Sequence, residues 1–190
     1  AEAAYAANTW DSNVGWNKNG SSAHQSWMWK RHAGFDVVTW NGDGVSGRQI
    51  PHSLGKIPQM IWVKRRNSND DWKVYHKDLN GGSSPEDEHL VLNSNAAEVN
   101  SADIWNDTAP TSTHFTLGND GTVNSGGTTR YIAMLFATTD VSKIGAFSGS
   151  SSNVPVTTGF SPRFIIVKRR DAGSSNWYMF DSLRGVGASG

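Results

Sequence analysis

The chain has 190 residues, of which 36% are hydrophobic and 18% charged, with 17 basic and 17 acidic side chains and no cysteine. Zero formal net charge gives no electrostatic reason to expect nucleic acid or an anionic membrane as partner, and it leaves assembly of like subunits unopposed. The absence of cysteine excludes disulfides and thiolate metal sites.

Twenty Gly, nine Trp and many Ser, Thr and Asn point to an all-β protein with frequent turns rather than a helical bundle. No apolar run approaches the roughly 18 residues that span a bilayer. The opening AEAAYAANTW lacks both the basic and the apolar region of a secretory signal and does not begin with Met, so a processed chain or a piece of a longer one is expected.

Residues 1–33 read as a polar, Trp-rich N-terminal arm or strand. Trp27 and Trp29 alternate with Ser26, Met28 and Lys30, the period of an extended strand. Such a strand needs a sheet to lie against, either that of the following domain or one in a neighbouring subunit. Trp10 and Trp16 lie in the polar part of this segment and are candidates for a subunit or ligand contact.

Residues 34–140 carry regular strand signals. FDVVTW is followed by the turn sequence NGDG, Asn41 to Gly44. GRQIPHSLG comes next, with Pro51 favouring an edge or strand end, then the apolar QMIWVKR. WKVYHKD, HLVLN, HFTLG and TRYIAMLFATT follow, with turns between them, and only NAAEVNSAD suits a helical turn. About eight short strands match a complete β-sandwich or jelly roll.

Residues 141–190 then restart the pattern. IIVKRRDAGSSNW repeats IWVKRRNSNDDW, and Gly159, Pro162, Lys168 and Trp177 answer Gly55, Pro58, Lys64 and Trp72. Phe147-Ser148-Gly149 answers Trp40-Asn41-Gly42, and Met179-Phe180 answers Val74-Tyr75. Shared turn, proline and aromatic positions indicate a tandem repeat. The second copy is incomplete, without counterparts of HLVLN, HFTLG and RYIAMLFA. A half sandwich leaves an apolar face and a sheet edge to be covered.

The blocks WKRHAGFDVVTWNGDGVSGRQIPHSLGKIPQMIWVKRRNSNDDWKVYHKDL, IWNDTAPTSTHFTLG, YIAMLFAT and GFSPRFIIVKRRDAGSSNWYMFD resemble, in order, a repeat domain of tail-fibre-like virion structural proteins from tailed bacteriophages of marine and fresh water. The resemblance covers about Trp29 to Gly190. It implies a β-rich module of virion fibres or appendages, sometimes beside lectin-like domains, and carries over no catalytic residues. Proteins of this kind usually continue through the second copy, so the end at Gly190 departs from their pattern.

The residues themselves offer little chemistry. Glu86 to His89, EDEH, are contiguous, so alternate side chains diverge and a solvated acidic loop is expected rather than a metal site. NGDG lacks the remaining ligands of a calcium loop. The six His residues are scattered, no Gly-x-Ser-x-Gly elbow occurs, and His76 with Asp78 reads as a surface polar pair rather than an acid/base dyad. No catalytic residue, metal site or cofactor is expected.

Binding is the better prospect. Trp62 reads as core, whereas Trp10, Trp16, Trp27, Trp29, Trp72 and Trp177 are candidate intersubunit or glycan contacts, because indole joins a large apolar face to one donor. The clusters Lys64-Arg65-Arg66 and Lys168-Arg169-Arg170 end apolar runs. Compensation by Asp70, Asp71 and Asp171 is the simplest role for them, with ion pairs between subunits or anionic glycan contact as the alternative.

The expectation is a non-enzymatic extracellular or virion protein, the subunit of a fibre or filament that self-assembles as a homo-oligomer through strands and aromatics. A carbohydrate- or receptor-binding module of a phage appendage, bound to a cell-surface glycan, is the alternative. Neither nucleic acid nor membrane insertion is expected.

Overall fold

The run MIWV in Met60–Arg65 has no polar alternation, so a strand made from it must be buried on both faces. The computed structural model, which describes residues 8–11, 15–18, 29–31 and 34–182, places it inside a sheet. The strands are β1 (Asn8–Asp11), β2 (Gly15–Lys18), β3 (Phe35–Asn41), β4 (Arg48–Pro51), β5 (Met60–Arg65), β6 (Lys73–His76), β7 (Glu88–Val91), β8 (Val99–Asn100), β9 (His114–Leu117), β10 (Arg130–Phe136), β11 (Phe164–Val167) and β12 (Tyr178–Asp181). Between them lie two short α-helical turns, α1 (Ala102–Trp105) and α2 (Gly121–Asn124), and two 3-10 turns, Leu79–Gly82 and Pro85–Asp87. The fold is all-β, in antiparallel sheets.

A six-stranded sheet in the order β3-β10-β5-β6-β7-β8 forms the centre. Period-2 alternation divides its side chains cleanly between two cores. Trp40, Ile61, Val63, Tyr75, Tyr131, Ala133 and Leu135 face one cluster, where Ile50, Leu54, Ile104, Trp105, Phe115, Leu117 and Val123 meet them. The layer over this face is the two-stranded β4–β9 sheet together with α1 and α2. Trp40 stacks on Tyr131 at 5.5 Å. Its indole N–H donates to the Val123 carbonyl at 3.2 Å, and the Tyr131 hydroxyl donates to Gly121 O at 2.8 Å. The sheet thus grips α2.

The opposite face presents Phe35, Met60, Trp62, Val74, Leu90 and Phe136, and here the C-terminal segment supplies the cover through Ile144, Ile166 and Trp177. The β11–β12 hairpin has the same register as β5–β6. Ile61, Trp62 and Val63 oppose Tyr75, Val74 and Lys73, while Ile165, Ile166 and Val167 oppose Phe180, Met179 and Tyr178.

NGDG links two strands that do not pair with each other: β3 pairs with β10 and β4 with β9, so it forms a corner between layers. Gly44 has φ +73°, and a Cβ on Gly42 would lie 1.9 Å from the Ser125 carbonyl oxygen. Around that corner Asn124, fully buried, donates from its side chain to Asp43 Oδ1 at 2.9 Å and to Val45 O at 3.0 Å. The Gly-rich stretch read as a turn contains α2, whose N-cap Asp120 accepts from Thr122 N at 2.7 Å. In NAAEVNSAD the helical turn takes only the last two residues, and Val99–Asn100 pairs as a strand.

In the N-terminal segment β1 and β2 pair with Trp10 opposite Trp16. The side chains of Trp10 and Trp16, and all of Trp27, lie outside the described residues. Trp29 is described and packs within the chain, 5.6 Å from Phe35, 6.4 Å from Trp62, 5.8 Å from Phe136 and 6.1 Å from Phe164. It bridges the sheet and the second hairpin.

Candidate functional site: the cleft between hairpin and sheet

Where β11–β12 crosses the sheet it leaves a cleft of about 900 Å3. Met60, Leu79 and Leu90 line it from the sheet side of the second cluster, and Ile166 and Trp177 from the hairpin. Trp177 is half-buried, and its indole N–H donates to Val91 O at 3.0 Å. Trp72, its counterpart, is likewise half-buried and packs against the same cluster. Both rings therefore close the corner of a core. Each keeps part of its surface in solvent.

Lys168, Arg169 and Arg170 line the cleft, and the two basic clusters make similar bonds. The Lys64 ammonium donates to Arg65 O and Ser68 O, both at 2.9 Å. The Lys168 ammonium donates to Arg169 O and Ser175 O, both at 2.8 Å. Each lysine thus clasps the loop that follows its own strand through charge-assisted bonds to backbone carbonyls. Partial burial holds the Lys168 ammonium below the usual lysine range.

The next residue pairs with a loop acid in both cases, Arg65 with Asp70 at 3.1 Å and Arg169 with Asp171 at 2.8 Å. Arg170 reaches across the junction to Glu98, whose backbone N–H donates to Arg170 O at 2.8 Å. Ser175 N donates to Asn95 O at 3.2 Å beside it. Arg66 is half-buried and donates its backbone N–H to Arg130 O at 2.6 Å. Asp71, expected to compensate a cation, instead accepts from the Asn93 side chain at 2.8 Å.

The titratable groups in and near the cleft are similarly engaged. The Asp78 carboxylate takes the Lys77 ammonium at 2.9 and 3.0 Å, and His76 Nδ1 accepts the Asp78 backbone N–H at 3.2 Å. An Nδ1 that accepts is unprotonated, so the ring is a neutral imidazole, and burial holds its pKa below the ordinary value. Among the described residues no group of three or more His, Cys, Asp or Glu side chains is placed to hold a metal ion. Glu86 and Asp87 sit in a 3-10 turn, whereas Glu88 and His89 belong to β7.

Asp36 and Glu98 escaped the sequence reading, and His89, read there as part of a solvated loop, is buried in β7. Asp36 is fully buried and accepts from Arg31 Nε at 2.7 Å, Val37 N at 2.9 Å, and Ser53 N and Oγ at 2.7 and 3.0 Å. Burial alone would raise its pKa, but these donors outweigh it and hold the carboxyl below the usual range. Its signal was a lone acid inside the apolar FDVVTW. His89 is buried 3.2 Å from the Lys73 ammonium, and burial, reinforced by that charge, pushes its pKa down to about 4. Glu98, the partner of Arg170, lies in a loop with no pattern to mark it.

The all-β architecture and this junction place the chain among proteins built from antiparallel layers, and comparison with known families adds one assignment. The chain belongs to the family of domains of unknown function DUF7483, whose model matches residues 2–188 and so spans both hairpins. No curated protein and no solved structure matches it.

Two outcomes are expected. Lys168→Met leaves Arg169 O and Ser175 O without their charged donor, so amide exchange across residues 169–177 should quicken about tenfold, equivalent to roughly 1.4 kcal/mol; unchanged exchange would contradict the clasp. His89 has a folded pKa below its unfolded value of about 6.5, so the unfolded chain binds more protons between those values. Stability is complete above about pH 6.5 and falls toward pH 4, with His52 and His76, also held down by burial, acting in the same direction. Urea unfolding across this range should show a shallower slope for His89→Gln.

Proposed function

We propose that this domain is a non-enzymatic structural module of an extracellular or virion assembly, built as a tandem repeat whose second copy is partial, and that it associates with other subunits through strands and aromatic side chains. The observation that carries this reading is strand β12. Tyr178, Met179 and Phe180 are 56%, 45% and 47% exposed there, in a chain whose charged groups at the junction are engaged in holding loops. Tyr178 and Phe180 flank Met179 and so share one face of the strand, and neighbouring exposed aromatic side chains there mark an interaction surface. The shared register of the two hairpins and their matching lysine clasps support the repeat.

A second reading keeps the same strand but changes its partner. Tyr178 and Phe180 have ring centroids 6.5 Å apart and planes within 14° of each other, a flat platform on which a sugar ring can stack. This favours a carbohydrate-binding module of an appendage.

The readings separate by experiment. Light scattering of the full chain across a wide concentration range should show reversible growth beyond the monomer, and electron microscopy should show ordered multimers at the high end. A monodisperse monomer throughout contradicts the assembly reading. A glycan screen monitored by tyrosine and tryptophan fluorescence should respond if the platform binds sugar, and a flat response across it rejects that alternative.

A further inference from the structure

The chain holds three Asn-Gly pairs, Asn19-Gly20, Asn41-Gly42 and Asn80-Gly81. In such a pair the glycine nitrogen can attack the asparagine side-chain carbonyl, because no Cβ shields it. Asn19-Gly20 lies outside the described residues. The other two asparagines are both exposed, yet the fold treats their glycines in opposite ways.

Asn41 is the last residue of β3, where it pairs with Arg130, and its carbonyl accepts from Arg48 Nη1. The Gly42 N–H donates to Thr129 O at 3.0 Å, and the Ser125 carbonyl oxygen stands 1.9 Å from where a Cβ on Gly42 would lie. Attack by that nitrogen requires the end of β3 to peel from β10 first.

Asn80-Gly81 sits on the Leu79–Gly82 turn, in an exposed run that covers residues 80–84. Asn80 has φ 50° and Gly81 φ 69°, and the left-handed region stores strain in a residue that carries a Cβ. A Cβ on Gly81 would meet nothing nearer than Arg170 Nη2, at 3.7 Å. The space beside Gly81 is therefore open, with a guanidinium at its edge. The Asn80 side chain donates from Nδ2 to Ser83 O at 2.7 Å, so the amide curls forward along the turn rather than out into solvent. The Asn80 backbone N–H donates to Glu98 Oε2 at 2.9 Å, and Arg170 pairs with the same carboxylate.

We propose that Asn80-Gly81 is a site of spontaneous covalent modification, selected by the fold over Asn41-Gly42 and promoted by Arg170. Water and its hydroxide are the only co-reactants. Gly81 N gives its proton to hydroxide and bonds to Asn80 Cγ, while the Cγ–Nδ2 bond breaks and the nitrogen leaves, with a proton from water, as ammonia. Water then opens the cyclic imide at either carbonyl, giving aspartate or isoaspartate at position 80. No oxidation or reduction takes place. The Arg170 charge favours the anionic nitrogen and the oxyanion that follows it. The Glu98 carboxylate opposes this, but Arg170 and the Asn80 N–H already share its charge. Each event adds a negative charge to a chain with none in excess and takes from Ser83 O its side-chain donor.

The test holds the full chain in mildly alkaline buffer made with heavy-oxygen water and follows label uptake by peptide mapping. The proposal expects residue 80 to take up label about tenfold faster than residue 41, because only the latter waits for a strand end to open. Equal rates in the folded chain, or a faster Asn41, overturn it. The chain unfolded in urea should lose the preference. A preference that persists there assigns it to local sequence and overturns selection by the fold. Arg170→Gln should slow the reaction at residue 80 severalfold and Arg170→Lys should restore most of it. A glutamine variant as fast as wild type overturns the part given to Arg170.

Discussion

Everything in this structure follows from a central sheet that is apolar on both faces. β5 and β10 each send alternate large side chains to opposite sides, Ile61, Val63, Tyr131 and Leu135 to one and Met60, Trp62 and Phe136 to the other. A strand of that kind is stable only when both sides are kept from water. The domain therefore has three layers, and the C-terminal segment is one of them.

The polar groups serve the same constraint. Layers that cover a sheet must be held by loops, and loops leave backbone groups to be satisfied. Asn124 and Asp43 fasten the corner between β3 and β4, Asp36 ties Arg31 and Ser53 to the edge of the sheet, and Lys64 and Lys168 close the loops after their strands. Glu98 with Arg170, and Trp177 with Val91, then lock the second hairpin to the first core. Repeated basic clusters that suggest a binding motif in sequence are, in three dimensions, parts of loops and of an internal junction.

What the sequence made legible was local. The strands β3, β5, β6, β7, β9 and β10 stand where apolar runs and turn residues place them, and the segments that end in Lys64 and Lys168 each form a strand paired antiparallel with the next one. What it did not reveal was long-range. Nothing in FDVVTW names RYIAMLF as its neighbour, because pairing across the fold depends on which layers pack and not on either segment alone. The helical turn at Gly121–Asn124 was hidden by glycine and asparagine, which favour turns until Asp120 caps them. The roles of Trp72 and Trp177 were undecidable because polar loops precede both, while the core that half-buries them comes from distant strands.

The functional reading depends on the same physics. A chain that buries both faces of its main sheet with its own residues has no unmet need there, so the hairpin face bearing Tyr178 and Phe180 is where the logic of two-sided burial points outward. That logic fails if the hairpin does not lie on the sheet. Methyl-resolved nuclear Overhauser spectroscopy of the full chain tests this directly: the account predicts cross-peaks from the Ile166 methyl groups to the cluster of Met60, Trp62, Val74 and Leu90. Cross-peaks confined to Ile166's own hairpin would contradict it.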